Sequence, residues 1–135
     1  MNGPEYELQV AAVAALKASA ELRALIGDHL YQHVPPSPVF PYVTIGEAEN
    51  LPDLAECIDG SEIFMTMHVF TRQNGIDYGP NKKIVAAMNA ALITDLTLAD
   101  YRCIEMQRSR ASYFVESDNA TVHGVAVYRA MVEPV

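Results

Sequence analysis

The apolar positions of the first eighteen residues recur with a helical period. Tyr6, Val10, Val13 and Ala14, with the Ala-Leu steps that follow, form a stripe, and Glu7, Gln9 and Lys17 fall on the opposite side. Ala and Leu, strong helix formers, dominate Glu5 to Ala18. Pro4 suits the first turn, where its missing N–H has no partner to lose. Ser19 predicts the N-cap of a second, short helix over Ala20–Ile26, with Glu21 in the turn that the helix dipole favours. Gly27 then ends it as a left-handed residue.

Beyond Gly27 the period changes. His29–Gln32 predicts a short strand, and the four prolines between Val34 and Pro41 exclude regular structure there. Tyr42–Glu47 is β-branched and aromatic and predicts a strand, followed by a polar connection over residues 48–60. Ile63–Thr71 alternates most clearly: Ile63, Met65, Met67 and Val69 point one way, Phe64, Thr66, His68 and Phe70 the other. The first of these faces is wholly apolar and should lie on helices; the second is mixed and suits exposure or a subunit contact. Ile84, Val85, Met88, Ala91 and Leu92 mark the core stripe of a second major helix. Arg102–Ala111 and Val122–Val132 predict two last strands around the turn-like Ser117-Asp118-Asn119. This order predicts an α+β fold: a single antiparallel or mixed β-sheet of about four to five strands with two main helices packed on one face.

At 135 residues and half hydrophobic, the chain suits one domain spanning 1–135 and excludes a disordered scaffold. Seventeen acidic residues against nine basic give a net charge of −8, a poor match for gripping a phosphate backbone. Glu5 and Glu7 stand where a secretory leader would carry Lys or Arg, and no apolar run approaches a membrane span. The expectation is a soluble, intracellular, reduced protein with no membrane partner.

Catalytic patterns are missing from the chain. His29 and His33 have the i, i+4 spacing of a metal pair, but Gly27 and Pro35 bracket them and no Glu stands between. His68 and His123 read as polar strand-face or interface residues. Cys103 reads as a small buried residue, and Cys57 is flanked by acids that hold its thiol protonated. Glu47 and Glu49 have the types of an acid–base pair, but at a strand end they read as solvated carboxylates. No catalytic, cofactor or metal residue is assigned.

Charge is distributed unevenly. Glu47, Glu49, Asp53, Glu56, Asp59 and Glu62 stand together without a Lys or Arg, while Arg102, Arg108, Arg110 and Arg129 lie on the two C-terminal strands. An acidic solvated loop with ordinary strand charges is one reading. The other is a self-complementary surface, in which the acids of one subunit meet the arginines of the next and the contact closes into a ring.

Leu22-x-x-Leu25-Ile26-Gly27-Asp28-His29-Leu30-Tyr31, a Pro-rich link and Phe40-Pro41-Tyr42-Val43-Thr44-Ile45-Gly46-Glu47 occur in that order. Met67-His68-Val69-Phe70-Thr71-Arg72, Lys83-Ile84-x3-Met88-x2-Ala91-Leu92 and His123-Gly124-Val125-x-Val127-x-Arg129-Ala130 follow. With these motifs the sequence resembles the tail-completion, or tail-terminator, proteins of long-tailed phages and phage-like gene transfer agents, from about residue 6 to 131. Phe70 stands where many relatives carry Trp, and the Pro-rich link and residues 48–60 match poorly.

The resemblance implies a structural virion protein of the tail or neck and no catalyst. It implies a homo-oligomer, typically a ring of six subunits, at the head-proximal end of the tail tube. The ring is expected to stop growth of the major tail tube protein, to join the head–tail connector or adaptor, and to let double-stranded DNA pass without binding it. A monomer in dilute solution fits a ring that closes only on a tube end. Arg102, Arg108, Arg110, Arg129, His68 and Phe70 are the interface candidates; Glu49, Asp53, Glu56 and Asp59 are candidates for lumen or interface. The alternatives are another neck or head-completion adaptor, or a small α+β enzyme or ligand-binding domain whose site is not a linear motif.

Overall fold

The computed structural model describes residues 2–53 and 60–135, with Asp53 through its backbone alone. Helix α1 (Pro4–Ala18) begins with proline in its first turn, as the sequence predicts. The Ser19 hydroxyl caps α2 (Ala20–Ile26) by accepting from Leu22 N at 3.1 Å, and Gly27 ends it at φ 63°.

The face that α1 turns inward differs from the predicted stripe. Leu8, Ala11, Ala12 and Leu16 are buried, and Glu7 with them, while Tyr6 and Val10 lie outside. An alanine-rich helix is apolar on most sides, so its two long inward leucines choose the face. Glu7 is tolerated there because its Oε1 accepts from Asp100 N at 2.7 Å.

Among the described residues five strands form one mixed sheet in the order β1-β2-β3-β5-β4. They are β1 (Leu30–Tyr31), β2 (Tyr42–Asp53), β3 (Gly60–Arg72), β4 (Tyr101–Val115) and β5 (Thr121–Pro134). β1 runs parallel to β2, and the other pairs are antiparallel. Helix α3 (Gly79–Leu92) leads from β3 to β4 and packs with α1 and α2 on one face. Ile63, Met65, Met67 and Val69 of β3 point into that layer as their alternation requires. Val43 of β2, Ala126, Tyr128 and Ala130 of β5 and Ile84, Val85 and Met88 of α3 join them in the core.

The polar connection predicted over 48–60 is strand as far as Asp53. Each residue from Ala48 to Asp53 has a partner on β3, between Met65 and Gly60. Pro52 is tolerated because β1 covers β2 only at Val43 and Thr44, so no strand among the described residues needs its missing N–H on the outer side.

Candidate functional site

The sheet face away from the helices has no layer over it among the described residues, and it carries most of the unusual side chains. One end is a packed set of rings. Tyr42 of β2 stacks on Phe70 of β3 at 4.8 Å between centroids, Phe70 stacks on His123 of β5 at 4.3 Å, and Phe114 of β4 meets His123 at 4.7 Å. Phe40 leans on Tyr42, and the Arg72 guanidinium lies 4.4 Å from the Phe40 centroid.

A four-membered polar chain runs through these rings. Glu47 Oε1 is 2.9 Å from His68 Nε2, His68 Nδ1 is 2.8 Å from His123 Nε2, and His123 Nδ1 is 2.7 Å from Glu116 Oε1. A carboxylate can only accept, so His68 donates Nε2–H to Glu47 and His123 donates Nδ1–H to Glu116. The contact between the two remaining nitrogens requires one further hydrogen. Three hydrogens on the four ring nitrogens would satisfy all three contacts. Burial, with the charge of His68 adding to it, pushes the His123 imidazole below its ordinary value against the pull of Glu116. His68 thus bridges Glu47 and His123. Its hydrogen bond also holds the Glu47 carboxyl below the usual range.

Local sequence makes this geometry. The bulge between Ile45 and Ala48 swings Glu47 toward His68. A Cβ on Gly46 would lie 2.7 Å from the His68 ring, so only glycine lets β2 approach so closely. At the far end the Asp118 carboxylate accepts from Ala120 N, Thr121 N and the Thr121 hydroxyl, which hold it far below the usual range and tie off the β4–β5 turn.

Beside the chain lies a shallow depression of about 470 Å³. Glu47, Ala48 and Glu49 form one wall, Ser109 and Arg110 the other, and Phe64, Thr66 and Val127 the floor. Acid therefore stands on the β2 side of the open face and base on the β4 side.

The four predicted interface arginines do not share a surface. The register of β4 shifts between Arg108 and Arg110, so Arg108 pairs with Tyr128 and Arg110 with the next residue, Val127. Adjacent positions on β5 face opposite ways, which puts the two arginines on opposite faces. Arg108 turns to the helices, where the Asn89 amide, with its oxygen toward the guanidinium, accepts from Nη1 at 3.1 Å. In the same orientation Asn89 donates to the Tyr128 hydroxyl at 2.6 Å, and burial raises that phenol far above its ordinary range. Arg102 pairs with Glu133 at 2.7 Å, and Arg129 pairs with Glu62 and, at 3.4 Å, with Glu105. Neither Arg108 nor Arg110 has a carboxylate partner among the described residues. His68 and Phe70 lie side by side on the open face. Glu49 is exposed on β2, whereas Glu56, Asp59 and Cys57 and the side chain of Asp53 lie outside the described residues.

Sequence reasoning placed His68 and His123 on strand faces but did not bring them together. Alternation gives each its face; their meeting depends on the β3–β5 register, in which Phe70 faces His123 and His68 faces Val125. Among the described residues no three His, Cys, Asp or Glu side chains could hold a metal ion, and no helix is long and apolar enough to cross a membrane. Burial pushes the Cys103 thiol up.

An uncovered face with acid and base on opposite sides suits an assembly component, and comparison with known proteins decides the matter. The family described as tail completion protein gp17 matches residues 10–133. The chain belongs to this family. A tail completion protein is a structural component of the phage or gene-transfer-agent virion, assembled with other tail and head proteins, and not an enzyme. Among solved structures it is similar to a chain in the "virion of native gene transfer agent (GTA) particle", at 29% identity over 96% of each chain with a TM-score of 0.86. It also shares its fold with the gp17 protein of bacteriophage SPP1, at 23% identity over 93% of this chain and 88% of that one, with a TM-score of 0.62. No curated protein matches.

Proposed function

We propose that this tail completion protein acts as a single terminator domain over residues 1–135 and closes with further copies into a ring, six as the family resemblance implies. The ring caps the head-proximal end of the tail tube, stops addition of tube protein and offers its other face to the head connector, while DNA passes through the middle. The observation that carries this reading is the open sheet face, with Glu47 and Glu49 on one side and Arg110 on the other. A surface of that kind matches a second copy displaced sideways, and repeated rotation closes such a contact into a ring. Strand residues outweigh helical ones along the chain, which favours a terminator over the more helical neck adaptors.

Asp53, Glu56 and Asp59 belong in this proposal to the lumen, where carboxylates repel the phosphates of passing DNA. Particles carrying Asp53→Asn, Glu56→Gln and Asp59→Gln together are expected to form with normal tails yet deliver DNA several-fold less efficiently, as about 1 kcal/mol of lost repulsion would give. Transduction frequency per particle measures this. Wild-type frequency from the triple variant would remove these acids from the channel.

A further inference from the structure

The sheet ends in two uncovered edges. β4 is the outer strand over Tyr101–Val115, met on its far side by the Thr97 bridge to Arg102 and by no strand among the described residues beyond it. At the other side β1 protects only Val43 and Thr44, which leaves the outer edge of β2 from Ile45 to Asp53 without a strand partner among the described residues. A row of unpaired backbone groups is a template for another strand, and proteins that need to stay monomeric cover it or blunt it with lysine. Here neither edge carries a lysine. Instead Leu51 on β2 is 42% exposed, and Ile104 and Phe114 on β4 are 59% and 43% exposed. Bulges interrupt both strands, and in the sheet's own register Ala48–Pro52 of β2 stands level with Cys103–Arg108 of β4, and the bulge that holds Glu47 stands level with Arg110. Pro52 withholds a single N–H from the first of these.

We propose that neighbouring copies in the ring join strand to strand, the free β4 edge of one copy lying along the bare β2 stretch of the next, so that the sheet continues from subunit to subunit. The inference rests on the ring reading above and adds which edges meet. The occupant is a second copy because the charges match. Glu47 and Glu49 stand at one edge and Arg110 at the other, within one chain they face each other only across the depression, and side-by-side placement brings them together. Backbone hydrogen bonds would supply the affinity, and the charged side chains the choice of edge and orientation.

A producer strain lacking the gene, complemented with variants, tests this. Arg110→Glu and Glu49→Arg are each expected to lower the yield of particles with closed, head-joined tails about tenfold or more, and the combined charge swap to recover much of it. Leu51→Lys should do as much damage as either single change. All three side chains are exposed, so the purified variants should melt with the wild type. If one does not, Arg110→Gln, Glu49→Gln or Leu51→Gln replaces it with the same expected order of effects. Normal yields from the single variants, or a swap no better than its parts, would overturn the edge-to-edge contact. Failure of the ring reading would look different: the strain without the gene would make tubes of ordinary length.

Discussion

Gly124→Ala should lower the free energy of unfolding by about 3 kcal/mol, a fall of roughly 10 °C in Tm. A Cβ at this position on β5 would stand 2.0 Å from Asn81 Oδ1 and 3.3 Å from the Tyr113 ring. Asn81 cannot step aside cheaply. It is fully buried, and its Nδ2 lies within hydrogen-bond reach of the Val69 carbonyl at 3.0 Å, the Val122 carbonyl at 3.2 Å and the Thr71 hydroxyl at 3.3 Å. The first turn of α3 is thereby pinned to β3 and β5, and the glycine is what lets the pin fit. Asn81→Ala removes the atoms in the way, so Gly124→Ala should cost much less in that background. Equal costs in both backgrounds, measured by urea unfolding, would show that the close approach is not the cause.

His68→Ala should cost about 2 kcal/mol at pH 7, since it strips a partner from Glu47, from His123 and from the face of Phe70. Its pH dependence separates the polar chain from simple loss of packing. In the wild type His123 titrates below the ordinary 6.5, so the unfolded chain binds more protons than the folded one as pH falls through that region. Stability from this source is complete above 6.5 and is lost on acidification. Glu47, held below the ordinary 4.5, acts in the same direction: its contribution is present above 4.5 and drains away below it. Without His68 both shifts lose a cause, so stability should fall less steeply between pH 7 and 4. Nearly parallel curves for variant and wild type would mean that the chain of hydrogen bonds contributes little.

Periodicity exposed the order of elements and the buried side of β3, because alternation of Ile63, Met65, Met67 and Val69 is a purely local property. Helix α1 misled, since its alanines satisfy several faces and only packing shows that Leu8 and Leu16 turn inward while Tyr6 stays out. Asn50 and Pro52 made the second half of β2 look like a loop; an edge position removes the penalty that proline would otherwise carry. Register is what local pattern cannot supply. One extra residue at Ser109 separates Arg108 from Arg110 across the sheet, and one particular alignment of β3 with β5 joins His68 to His123. The family motifs were readable for the opposite reason: Gly46 and Gly124 are fixed by contacts with His68 and Asn81, so they mark positions where few residues fit.

The proposed termination role bears first on the length of a growing tail tube. Electron microscopy of tails from a producer lacking the gene measures that directly. Overlong tubes of variable length, unattached to heads, are predicted. Tubes of wild-type length joined to heads would contradict it.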